Sequence, residues 1–91
     1  MTVAETMRRK LTDRFAPTRL EIVDESHRHA GHAGARPGGE SHFTVTIVSD
    51  AFTGLSRVMR QRLVYETLAE ELRGPVHALA LSTLAPAEDR E

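Results

Sequence analysis

The chain of 91 residues has no cysteine and no tryptophan. Without thiols it builds neither a disulfide framework nor a self-contained thiol redox centre. Any soft-metal or iron–sulfur site it joins must take its sulfur from a partner. The net charge is only −1, so no global basic field draws the chain to nucleic acid or an anionic membrane. No apolar run approaches the ~18 residues of a membrane span. Residues 1–10 lack the apolar stretch of a signal peptide. The expectation is therefore a cytoplasmic protein with no membrane partner. A Gly-rich phosphate loop, a Gly-x-Ser-x-Gly elbow and a His-Glu-x-x-His pair are also missing, so the chain is not expected to be an enzyme.

What is present is imidazole. Five histidines occur, and they are clustered. His27, His29 and His32 fall in the glycine-containing stretch of residues 24–34, His42 follows in Glu40-Ser41-His42-Phe43, and His77 stands before the apolar run Ala78-Leu79-Ala80-Leu81. Imidazole is a common metal ligand that titrates near neutral pH. Loop histidines are often merely solvated, and a histidine at a strand start is often held by backbone, so spacing alone decides nothing.

The chain length bounds the fold to one domain with a simple core. Val3, Met7, Leu11 and Phe15 recur every fourth residue and predict a helix over 3–15, with Thr2 and Glu5 forming a capping-box pattern and Pro17 as the stop. Residues 19–24 and 42–48 alternate as strands, the second with Phe43, Val45 and Ile47 on one side. A long loop, 25–40, separates them. A turn at 49–54 leads into a helix over 55–72, whose apolar stripe reads Leu55, Val58, Met59, Tyr65, Leu68 and Leu72. Gly74 and Pro75 end that helix. Residues 78–84 form a third strand, and the charged residues 85–91 read as a loose tail on a domain spanning 1–84.

This order implies an α+β fold, a three-stranded mixed sheet with helices on one face. The first two strands pair as an antiparallel hairpin. The helix between the second and third favours a parallel pairing through a right-handed crossover. Loop 25–40 and His77 then lie at the same sheet edge, and the loop histidines converge on His77.

The order and spacing of several segments resemble the BolA family across nearly the whole chain. They are Asp24-Glu25-Ser26 followed by His29; Glu40-Ser41-His42-Phe43; Val48-Ser49 with Phe52-Thr53-Gly54; Arg60 with Arg62-Leu63-Val64-Tyr65; Leu68-Ala69-Glu70-Glu71-Leu72; and Val76-His77-Ala78-Leu79. The resemblance implies a fold like the type II KH domain, helix–strand–strand–helix–helix–strand. It also implies a monothiol glutaredoxin of the CGFS type as partner, and a shared [2Fe-2S] cluster, none being expected in the isolated chain, which would be a monomer when alone. The glutaredoxin and its glutathione would supply thiolates. This chain would supply His77 and a loop imidazole, His29 by the family spacing from Asp24-Glu25-Ser26, or His32 close by. The role implied is a non-enzymatic adaptor in iron–sulfur cluster assembly or trafficking and iron homeostasis. The family segment Arg-His-Arg reads Arg60-Gln61-Arg62 here, which removes an imidazole, and His42 at the head of a strand suggests a structural hydrogen bond.

Some BolA proteins are described as DNA-binding transcriptional regulators, and a KH-like fold suits that alternative. The corresponding turn, Phe52-Thr53-Gly54-Leu55-Ser56, has no Gly-x-x-Gly. Arg57, Arg60 and Arg62 crowd the first half of the second helix and Glu66, Glu70 and Glu71 the second. That order opposes the helix dipole, so the arginines are candidates for a partner- or nucleic-acid-binding cluster. The plain alternative is a solvated charged face.

Overall fold

The computed structural model describes residues 2–25 and 41–89. Helix α1 (Val3–Phe15) opens on a reciprocal cap. Glu5 donates its backbone N–H to the Thr2 hydroxyl and its carboxylate accepts the Thr2 N–H, both at 3.1 Å. The Thr2 hydroxyl, which also donates to the Glu5 carboxylate at 2.8 Å, and then the Thr2 N–H hold that carboxyl below its ordinary 4.5. The helix stops at Ala16, whose φ of 45° is left-handed. Pro17 disfavours a right-handed helical conformation at the residue before it. The i, i+4 series reads as expected: Met7, Leu11 and Phe15 are buried and Val3 packs at their edge.

Strands β1 (Arg19–Asp24), β2 (His42–Val48) and β3 (Ala78–Leu84) form one sheet in the order β1-β2-β3. β1 and β2 are antiparallel, with Ile22 opposite Val45 and Leu20 opposite Ile47. β2 and β3 are parallel, with Phe43 opposite Leu79 and Val45 opposite Leu81. Because side chains alternate, all of these apolar residues share one face, and the helices cover it. The mixed α+β architecture is the one the alternation predicted. At the far end of β2 the buried Ser49 hydroxyl donates to Phe15 O at 2.6 Å. A 3-10 turn, Asp50–Phe52, then lays Phe52 against Phe15, ring centroids 5.1 Å apart. Gly54, at φ +83°, supplies the left-handed step that leads to the next helix.

Three features of the second half differ from the sequence expectation. The single helix that periodicity gave over 55–72 is two, α2 (Arg57–Thr67) and α3 (Ala69–Arg73), which is the helix–helix order the family resemblance implied. The Thr67 hydroxyl donates back to Leu63 O at 2.8 Å, a contact that bends helices, and the break follows at Leu68. The buried face of α2 is also not the expected stripe. Arg60, Val64 and Leu68 are buried, whereas Val58, Met59 and Tyr65 are exposed. Finally, the start of the tail is anchored. Pro86–Glu88 form a 3-10 turn. Glu88 pairs with Arg60, and Asp89 accepts two bonds from Arg19 at 2.8 and 3.0 Å.

On the other side of the domain Lys10 of α1 reaches the carboxylates of Glu70 and Glu71, at 3.1 and 2.8 Å. These bonds, that to Glu71 first, push the ammonium above its ordinary 10.5. Among the described residues no helix is long and apolar enough to cross a membrane.

The Glu88 carboxyl is held below its ordinary 4.5 by the Arg60 guanidinium first and the Ala85 N–H second. A depressed carboxyl contributes stability that is in place above its unfolded value and is lost as pH falls through its folded value. Glu88→Gln should therefore melt earlier than the wild type near neutral pH. The gap should close on acidification below about pH 4.5. Thermal melts followed by circular dichroism across that range would show it, and a gap independent of pH would argue against the pairing.

Candidate functional site

The parallel register places the start of β2 beside the start of β3, with His42 opposite Ala78. Ser41, fully buried, accepts through its carbonyl the N–H groups of both His77 and Ala78, at 2.8 and 3.2 Å. One peptide carbonyl thus fixes where the backbone of His77 sits. The His77 side chain is exposed. On the other flank Glu25, just past β1, donates its N–H to His42 O at 2.8 Å, and the Thr44 hydroxyl donates to the Glu25 carboxylate. The segment that leaves β1 at Glu25 and re-enters at Ser41 is therefore rooted at the same edge as His77. His29 and His32 belong to that segment and lie outside the described residues, as does all of the expected loop except Glu25.

The edge also holds an imidazole to which the sequence assigned only a structural part. His42 and His77 have ring centroids 6.4 Å apart with planes at 34°. The Ser41 hydroxyl bonds His42 Nδ1 at 2.9 Å, so the structural bond exists, but it does not isolate the ring from His77. A signal was available. One histidine heads β2, the other immediately precedes β3, and a parallel pairing makes them neighbours.

Neutral imidazole nitrogen suits iron, zinc and copper. Among the described residues no group of three or more His, Cys, Asp or Glu could hold a metal ion. The described part of the edge thus presents a pair of imidazoles, a partial ligand set that another chain or further residues must complete.

The arginine cluster does not survive as a single surface. Arg60 points inward: its Nε donates to Leu55 O at 3.0 Å, and Nη1 donates to Thr83 O and to Glu88 at 3.3 and 2.6 Å. Its expected role in binding a partner or nucleic acid is corrected accordingly, since two carbonyls and a carboxylate already take its donors. Arg57 and Arg62 remain exposed, and five positions on a helix set them about 140° apart.

Comparison with known proteins agrees with the fold. The family model described as BolA-like protein matches residues 11–88. The chain is 52% identical over 83 residues to the DNA-binding transcriptional regulator BolA of Escherichia coli (strain K12), covering 91% of this chain and 75% of that protein. It is 46% identical over 86 residues to SufE-like protein 1, chloroplastic/mitochondrial, of Arabidopsis thaliana, covering 90% of this chain but 23% of that protein. Among solved structures, BolA1 from Arabidopsis thaliana matches with a TM-score of 0.89 at 44% identity, covering 99% of this chain and 98% of that one.

Because its side chain is exposed and outside the core, His77 should be dispensable for folding. His77→Ala is expected to change the unfolding free energy by no more than about 0.5 kcal/mol, measured by urea denaturation. A substantially larger loss would mean that the ring is a structural element.

Proposed function

The chain belongs to the BolA family, and on that premise we propose that it is a non-enzymatic adaptor in iron–sulfur cluster assembly or trafficking and iron homeostasis. In this reading it shares a [2Fe-2S] cluster with a monothiol glutaredoxin. One observation carries the proposal: in a chain without cysteine, the strand register sets His77 beside His42 at the root of the histidine-bearing segment. The occurrence of a similar sequence within a SufE-like protein is consistent with an iron–sulfur related role.

The residues at the edge suit such a cargo. His77 offers an exposed imidazole on a backbone pinned by Ser41, so little rotational freedom beyond its own side chain is lost on binding. His29, with His32 as the competitor, is the proposed second nitrogen, supplied from the segment rooted at Glu25 and Ser41. His42, bonded to Ser41, stands next to His77, where its ring narrows the approach. The glutaredoxin cysteine and glutathione would complete the set with thiolate. Nitrogen ligation on one iron raises a cluster's potential relative to all-thiolate ligation. Each imidazole must be neutral to bind, so acidification should weaken the shared site. The cytoplasm is the proposed compartment.

Mixing this chain with a cluster-loaded monothiol glutaredoxin should yield a one-to-one complex with altered visible absorption and circular dichroism. His77→Ala should abolish the change while the domain stays folded. His29→Ala and His32→Ala identify the loop ligand by which one reproduces that loss. An unaltered glutaredoxin spectrum with no co-elution, or a full effect in His77→Ala, would contradict the proposal.

The name of the Escherichia coli relative favours a second reading, duplex DNA binding. With Arg60 engaged internally, Arg57 and Arg62 would account for a log–log salt slope of only about −2. Affinity near physiological salt should then be weak and little dependent on sequence. Tight sequence-selective binding at about 150 mM salt, lost in Arg57→Ala or Arg62→Ala, would promote the regulator reading.

A further inference from the structure

The outward face of α2 is apolar where a helix of a small domain is ordinarily polar. Val58 is 66% exposed, and Met59 and Tyr65 are each 40% exposed. Val58 and Tyr65 share one side of the helix. Val58, Gln61, Arg62, Tyr65, Glu66 and Ala69 line a shallow depression of about 450 Å³. The first four stand at i, i+3, i+4 and i+7, which is the shape of a hole that receives one side chain of a facing helix. Arg62, Tyr65, Glu66 and Ala69 repeat the same spacing one turn on. Two consecutive holes on one face describe a seat for a helix.

Charge identifies which helix. Arg62 stands in the first half of this face and Glu66 in the second. Within one chain this order opposes the helix dipole. It also leaves Arg62 and Glu66, both exposed, with no ion pair to another described residue. A partner of one sign would satisfy half of the face and repel the other half. An antiparallel copy of the same helix satisfies both.

We propose that this face is a self-association interface, in which α2 of two copies packs antiparallel about a two-fold axis passing between Arg62 and Glu66. Each contact is made twice, as such symmetry requires. Arg62 of each copy meets Glu66 of the other, the apolar residues Val58 and Tyr65 are covered, and the two helix dipoles run in opposite directions. One short helix per copy is a small interface by the standard of stable complexes, so the dimer is weak and concentration-dependent. This differs from the monomer expected from sequence. It is independent of the cluster proposal, because the face it uses does not include His77.

The test is sedimentation equilibrium of the whole chain from about 10 µM to about 1 mM, the range in which small interfaces associate. The apparent mass should rise from 10.1 kDa towards twice that value and fall back when salt is raised. Arg62→Glu alone and Glu66→Arg alone should each abolish the rise, since every cross-pair becomes like-charged. An equimolar mixture of the two variants should restore it, since every cross-pair is again opposite in sign. Far-ultraviolet circular dichroism establishes that both variants are folded, and the wild-type series stands without them. A wild-type mass fixed at 10.1 kDa throughout, single variants that associate as the wild type does, or a mixture that stays monomeric would overturn the proposal.

Discussion

The parallel pairing of β2 with β3 is the constraint on which the other features hang. It requires a crossover, and α2 with α3 is that crossover. Val64 of α2, and Leu68 between the two helices, join Phe43, Val45 and Ile47 in one buried core with the residues of α1. It also sets the register in which one carbonyl, that of Ser41, accepts two N–H groups from the start of β3. From that register follows the placement of His77 beside His42, some thirty-five positions away in the chain. Were β3 to slip by one residue, every side chain of the strand would change face. Leu79 and Leu81 would leave the core together with the histidine's position.

The two ends of the sheet do different work. At one end, Ser49, Phe15 and Phe52 close the core through a buried hydroxyl and two rings tilted against each other, and Arg60 draws the Pro86–Glu88 turn against the domain. At that end the hydroxyl of Ser49 and the guanidinium of Arg60 are satisfied by their own chain. The other end holds His42 and His77 at the root of a segment that begins and ends there. Polar groups that face outward on a well-fixed backbone are what a binding edge needs, because the scaffold has already lost its freedom before the partner arrives.

Much of this was legible from residues alone. β1, β2 and β3 follow directly from alternation, since a strand with one covered face must alternate, and their parallel and antiparallel senses follow from what lies between them. The face of α2 was misread because periodicity was counted on apolar residues only. Arg60 occupies a core position at i, i+4, i+8 with Val64 and Leu68, and its guanidinium is admitted because Leu55, Thr83 and Glu88 meet its donors. Val58, Met59 and Tyr65, which looked like the core stripe, were left outside. The order of residues 85–89 depends on pairs formed over long separations, Arg60 with Glu88 and Arg19 with Asp89, which no local pattern announces. His42 was readable in principle from the parallel register, but its place at a strand head invited the simpler structural explanation. His29 and His32 rest on family spacing and lie outside the described residues.

The central claim is that an imidazole of this chain ligates iron in a cluster shared with a glutaredoxin. The most direct measurement is pulsed electron paramagnetic resonance of the reduced heterocomplex, with only this chain carrying 15N-labelled histidine. The account predicts strong 15N hyperfine coupling to the cluster, lost in His77→Ala. A reduced cluster that forms in the heterocomplex but shows no histidine nitrogen coupling would contradict it.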